Sequence, residues 1–114
     1  MNDFKNREFE LREKESNAVF HKYPKSLPII IYAKYNDTPK LKKHKYIVPN
    51  NLSCSHLFDI IRKQLDMSKD KALFFFTDDN KLLSATMLLN NLYLKEKNLD
   101  GFLYIYYSLE NVFG

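Results

Sequence analysis

Three histidines (His21, His44 and His56), a single cysteine (Cys54) and the adjacent carboxylates Asp78 and Asp79 are the side chains through which this chain could do bond-making chemistry. Their spacing argues against it. The histidines are scattered and none stands in an HExxH or other ligand-pair spacing, so no metal site is expected. Cys54 sits among apolar residues at helical intervals, the setting of a buried thiol rather than an activated nucleophile. Asp78, Asp79 and Asn80 suit a turn better than acid–base work, because adjacent side chains there point in different directions. Only two glycines occur, Gly101 and Gly114, which leaves neither a P-loop nor a dinucleotide fingerprint. A lone cysteine also excludes an internal disulfide framework and any multi-cysteine zinc site. The chain is not expected to be an enzyme or to carry a cofactor.

The charge pattern is more informative. Of a formal net charge of +4, the whole excess resides in residues 34–45, where Lys34, Lys40, Lys42, Lys43 and Lys45 face Asp37 alone. Such a patch suits an acidic partner, whether peptide, anionic membrane surface or nucleic acid. Its other reading is a solvated loop, or lysines that guard an exposed sheet edge against aggregation.

These residues must be positioned by a small fold. With 114 residues, 13.6 kDa, 45% hydrophobic and 28% charged residues, the chain reads as one globular domain without repeats or linkers. Its longest apolar stretch, residues 27–33, is seven residues and includes Pro28, against the roughly 20 that a bilayer span needs. The charged N-terminus does not read as a secretory signal. The expected location is the cytosol, with any membrane association peripheral or through a covalent lipid.

Residues 2–22 alternate acidic and basic side chains around sparse apolar positions, as on a solvent-facing helix, and Pro24 stops the pattern. Residues 27–35 read as a central strand, apolar on both faces at first and in need of cover from the N-terminal helices on one of them. Residues 36–44 form a loop and residues 45–48 a short strand stopped by Pro49. Ser53 is placed to cap a helix whose face carries Cys54, Leu57, Phe58, Ile61 and Leu65, widened by Ile60. Residues 72–76 read as a third strand, Leu88, Leu89, Leu92 and Tyr93 as a short helix, and residues 102–107 as the last strand after a turn at 98–101. Two strand pairs separated by one amphipathic helix give an α+β, ubiquitin-like β-grasp: a mixed four-stranded sheet wrapped on that helix, with added N-terminal helices. The expected divisions are 1–24 as helical extension, 25–108 as β-grasp core and 109–114 as a flexible conjugation tail.

A short tail ending in glycine is what ubiquitin-like conjugation requires. The carboxylate is adenylated, passed to an enzyme thiol and then to an amine, and a residue without Cβ threads a narrow channel. Six residues, 109–114, span about 20 Å when extended.

Several motifs together resemble the GABARAP-type autophagy ubiquitin-like modifiers. They are Tyr23-Pro24 with Pro28-Ile29-Ile30, then Lys45-Tyr46-Ile47-Val48-Pro49, Ile61-Arg62-Lys63, Asp100-Gly101-Phe102-Leu103-Tyr104, and the ending from Tyr107 to Gly114. The resemblance runs from about Phe4 to the end. It implies that Gly114 is joined to the amine of phosphatidylethanolamine and anchors the protein to forming autophagosomal membranes. Activating and conjugating enzymes and a delipidating cysteine protease are implied as partners. It also implies recruitment of cargo receptors and autophagy factors through acidic-flanked aromatic-x-x-aliphatic peptides, which add a strand to the second strand's edge. Carried over, an aromatic pocket is lined by Glu15, Val19, Pro28, Ile30, Lys45, Ile47 and Phe102. An aliphatic pocket is lined by Tyr46, Val48, Pro49, Leu52, Leu57 and Ile60, of which Ile60 above all also reads as core. Phe74 and Phe76 are candidates for a second surface, while Phe75 is assigned to the core. The chain departs from the family at Gln64, where an arginine is usual, at Ser26, where a basic residue is common, and at Leu109, where the tail usually has glycine. Two rival functions remain: a peptide-binding β-grasp adaptor that is never conjugated, and nucleic-acid binding, which ranks last because no RNA-binding motif accompanies the lysines.

Overall fold

The computed structural model describes residues 4–68 and 70–109. A 3₁₀ turn at Phe4–Asn6 leads into α1 (Phe9–Lys22), β1 (Ser26–Ala33), β2 (Lys45–Pro49), α2 (Cys54–Gln64), β3 (Phe74–Thr77), α3 (Leu89–Glu96) and β4 (Leu103–Ser108). The sheet order is β2-β1-β4-β3, with β1 and β4 parallel and both outer pairs antiparallel. Strand alternation sorts side chains between two faces. Ile29, Ile31, Leu103, Ile105, Tyr107 and Phe75 belong to the larger buried cluster, with Leu57 and Ile61 of α2 and Leu89 and Leu92 of α3. Ile30, Phe102 and Tyr104 form a second cluster with Phe4. One sheet thus separates two apolar layers, and its central strands are apolar on both faces because both faces are covered. The α+β β-grasp architecture read from the sequence is the observed one.

Element limits differ modestly. The first strand ends at Ala33 rather than at residue 35, and the third begins at Phe74 rather than residue 72. The β1–β2 connection is better fixed than a solvated loop. The Tyr107 hydroxyl donates to the Pro39 carbonyl at 2.6 Å and accepts from the Leu41 N–H at 3.1 Å, and Thr38 and Leu41 are buried. Burial pushes the Tyr107 phenol up to about 12.

α1 packs on one face of the sheet, and much of that attachment runs through polar side chains. Beside the buried Val19, its inner side is polar. The Arg12 guanidinium meets Asp100 Oδ2 at 2.7 Å, and Ser16 Oγ donates to the Asp100 carbonyl at 2.5 Å. Asp100 is fully buried, and its carboxylate also accepts from the Phe102 N–H at 2.8 Å and from the Tyr104 hydroxyl at 2.5 Å. Burial, and then the Asp100 hydrogen bond, hold the Tyr104 phenol well above its usual range. The turn closes with Gly101 at φ +90°, where a Cβ would lie 2.3 Å from Ser16 Oγ. Glycine is required there for both its left-handed backbone and its lack of a side chain.

Removing Arg12 leaves a buried carboxylate without its counter-charge. Arg12→Ala is expected to cost roughly 3–5 kcal/mol of stability, read from urea unfolding against a Glu10→Ala control on the exposed side of the same helix. A loss below about 1 kcal/mol, the scale of an exposed ion pair, would refute this account of how α1 is held.

Candidate functional site

The residues expected to line the aromatic pocket gather between α1 and the β1–β2 pair. Register places Pro28 opposite Ile47 and Ile30 opposite Lys45, so these four share one face. Arg12, Glu15, Ser16 and Val19 follow one another at spacings of three, one and three, which puts them on one side of α1. The two faces meet where Lys45 Nζ bonds Glu15 Oε1 at 2.7 Å. Both side chains are partly exposed, so this contact is worth at most about 1 kcal/mol and can rearrange. The other carboxylate oxygen, Glu15 Oε2, is shielded and lacks a hydrogen-bond donor among the described residues.

Burial separates the pocket's floor from its rim. Val19, Pro28, Ile30 and Phe102 are buried, Lys45 and Glu15 are half-buried, and Ile47 is 41% exposed. Phe102 packs edge-on against Phe4 at 4.8 Å, so Ile30 and Phe102 are core residues first and pocket floor second. The same holds for the residues expected to line the aliphatic pocket. Tyr46, Val48 and Leu57 are buried, whereas Pro49 is exposed and Leu52 and Ile60 are half-buried. The residue of this set most deeply in the core is therefore Leu57, not Ile60, because Leu57 lies on the side of α2 that meets the sheet.

Phe76 is corrected as a surface candidate. It is fully buried, and the Lys34 ammonium lies 5.1 Å from its ring centre; only Phe74 of that pair stays half-exposed. Phe75 is core as expected, stacked on Phe58 at 4.0 Å with parallel rings. The outer side of β3 is covered as well. Leu83 N–H donates to the Phe75 carbonyl, Thr77 N–H donates to the Lys81 carbonyl, and Phe76 and Leu82 form a β-bridge. Among the described residues, β2 is therefore the strand edge left open.

The lysine segment divides on inspection. Lys40 donates to the carbonyls of Tyr35, Asn36 and Thr38 and so holds its own loop, and Lys34 bonds Asn80. Lys42 and Lys43 stay exposed beside the open edge, and Lys45 stands over the pocket. Sequence reasoning missed a neighbouring groove of about 240 Å³ lined by Phe4, Arg7, Ile30, Tyr32, His44 and Lys45. The alternation that put Ile30 on the pocket face also puts Tyr32 there, and that signal could have found it.

No catalytic geometry emerges among the described residues. Cys54 is fully buried, and desolvation pushes its thiol up to about 11, far from a reactive thiolate. Ser53 and His56 form a helix cap in which the Ser53 N–H donates to His56 Nδ1 at 3.2 Å. No group of acidic, histidine or cysteine side chains that could hold a metal occurs among the described residues.

The family model described as "Autophagy protein Atg8 ubiquitin like" matches residues 11–114. The chain belongs to the Atg8 family. It is 40% identical over 108 residues to autophagy-related protein 8e of Arabidopsis thaliana, covering 94% of this chain and 88% of that one. It is also 40% identical over 114 residues to autophagy-related protein 8 of Mycosarcoma maydis, covering 97% and 95%. The crystal structure of Trypanosoma brucei ATG8 matches with a TM-score of 0.88 at 32% identity, over 95% of this chain and 94% of that one. This protein is accordingly a ubiquitin-like autophagy protein, as its motifs indicated. Gly114 falls within the family match but outside the described residues.

The split between floor and rim gives a direct test. Ile30→Asp buries an unpaired charge and is expected to cost at least about 3 kcal/mol of stability. Ile47→Asp, on the exposed rim, should change stability by less than about 1 kcal/mol. Paired urea melts decide: equal losses would show that the floor and rim are wrongly assigned.

Proposed function

We propose that this Atg8-family protein is a non-enzymatic modifier. It is joined through Gly114 to phosphatidylethanolamine and recruits cargo receptors and autophagy factors through short aromatic-x-x-aliphatic peptides. The observation that carries the docking half is the open edge of β2, flanked on one face by the Glu15–Lys45 groove and on the other by Leu52 and Ile60. An extended peptide there gains main-chain hydrogen bonds from the edge and burial from two recesses. The aromatic side chain fills the recess over Val19, Ile30 and Phe102, with Ile47 as its wall. The aliphatic one rests on Leu52 and Ile60, with Tyr46, Val48 and Leu57 as the packed layer beneath. Glu15 Oε2, which lacks a donor among the described residues, suits a partner aromatic that carries an N–H or O–H. Lys42, Lys43 and Lys45 meet acidic residues flanking the peptide.

The conjugation half rests on the family match that runs to Gly114. In this reading the protein divides its time between cytoplasm and autophagosomal membrane. Activating and conjugating enzymes attach the lipid, a cysteine protease removes it, and nucleic acid is not a partner. The extension 1–24, the core 25–108 and the tail 109–114 then serve as groove wall, docking scaffold and attachment arm. Phe74 remains the one candidate for contact on the β3 side.

Two measurements test this. Ile47→Asp should weaken binding of an aromatic-x-x-aliphatic peptide tenfold or more in calorimetry, with circular dichroism unchanged; undiminished affinity would move the docking site away from β2. Deletion of Gly114 should abolish the lipid adduct found by mass spectrometry in cells while leaving thermal stability unaltered. A lipidated product from the deletion variant would overturn conjugation through that residue.

A further inference from the structure

The chain that leads into the docking edge is held by side chains rather than by a strand. β1 pairs with β2 only as far as Ile30 opposite Lys45, with one further bond from the Ile31 N–H to the His44 carbonyl at 2.9 Å. Residues 38–43, just before it, lie outside the sheet. Three side chains tie them down. The Lys40 ammonium gathers the carbonyls of Tyr35, Asn36 and Thr38, and the Tyr46 hydroxyl donates to the Lys43 carbonyl at 2.9 Å. The third is Tyr107 of β4, whose hydroxyl donates to the Pro39 carbonyl and accepts from the Leu41 N–H while its ring is fully buried. Of these ties only that of Tyr107 reaches across the fold, 66 residues from Leu41. Lys40 and Tyr46 shape the loop locally, whereas Tyr107 fixes where it lies against the sheet. Burial of the Leu41 side chain adds to the attachment but sets no direction.

An added strand bonds to the main chain of β2, so the edge must be extended before contact. Ordering one backbone residue at the moment of docking would cost on the order of fivefold to thirtyfold in affinity. A loop that is already fixed spares that cost. The path of residues 39–41 therefore bears on binding although none of them lines a recess.

We propose that the Tyr107 hydroxyl is a positioning group for peptide docking, which holds residues 39–41 so that β2 starts out extended before a partner arrives. It touches no partner and acts through the loop. The proposal rests on the docking reading above and needs no charge on the peptide. Tyr107→Phe removes one oxygen and leaves the ring in the core. Thr77→Val is the matched control at the opposite side of the sheet. The buried Thr77 hydroxyl likewise donates once, to Asp79 at 2.5 Å, and accepts once, from the Lys81 N–H at 2.9 Å.

The test is calorimetry with an aromatic-x-x-aliphatic peptide that carries no acidic residues, below the melting range of each protein. Tyr107→Phe should bind about fivefold to tenfold more weakly, with a less favourable binding entropy, and Thr77→Val within about twofold of the wild type. Amide exchange supplies the second measurement. In the free wild type the Leu41 N–H should be protected, and saturating peptide should add little. In Tyr107→Phe the Leu41 N–H should exchange at least about tenfold faster relative to Ile105 of the same protein, and peptide should restore part of its protection. Equal affinities of Tyr107→Phe and wild type, or an equal loss in Thr77→Val, overturn the positioning role while the docking site stands. A Leu41 N–H that is unprotected in the free wild type and protected only by peptide overturns it without any variant. Failure of the wild type to bind removes the docking reading itself, and the positioning role with it.

Discussion

Much of this structure depends on one buried carboxylate. Asp100 has no exposed surface, and an isolated charge in that setting would be prohibitive. It is tolerated because Arg12, Tyr104 and the Phe102 N–H converge on it, and because its own carbonyl receives Ser16. Hydrogen bonds of that kind have directions, unlike apolar contacts. They therefore fix the rotation and height of α1 on the sheet, which its few inward apolar residues would leave poorly defined. Gly101 belongs to the same constraint, since any side chain there would displace Ser16.

The consequence for function runs along the helix. Because Arg12 and Ser16 are held at the turn before β4, Glu15 and Val19 on the same side are delivered to β2. There Glu15 meets Lys45. A directional contact along one side of α1 thus shapes the recess beside it. The floor of that recess, Ile30 and Phe102, belongs to the core shared with Phe4, so the recess cannot collapse without loosening the sheet. Its rim is built from a partly exposed ion pair and an exposed isoleucine, groups that can move at little cost.

The sheet's two edges are treated differently. β3 is sheltered by residues 81–83 and by the burial of Phe76, whereas β2 is open and bordered by lysines. An open edge invites pairing, and charge beside it limits which strands can pair. The lysines do not act alike: Lys40 organises its own loop, whereas Lys42 and Lys43 stay exposed beside the edge, Lys43 with its ammonium 5.1 Å from the Tyr46 ring centre.

The sequence by itself determined the apolar central strands, the α2 stripe through Cys54, Leu57 and Ile61, the turn at Gly101 and, through its motifs, the family. Those features are local, because side-chain periodicity and turn chemistry are written within a few residues. Periodicity also grouped Phe74 with Phe76. It could not say that Phe76 would be enclosed, that Leu57 would lie deeper than Ile60, or that a charged helix would turn Arg12 and Ser16 inward. Tertiary structure decided these, because burial depends on which distant segment arrives to cover a face. The partner of Arg12 is 88 residues away, and no spacing rule within a helix encodes a hydrogen bond across that separation.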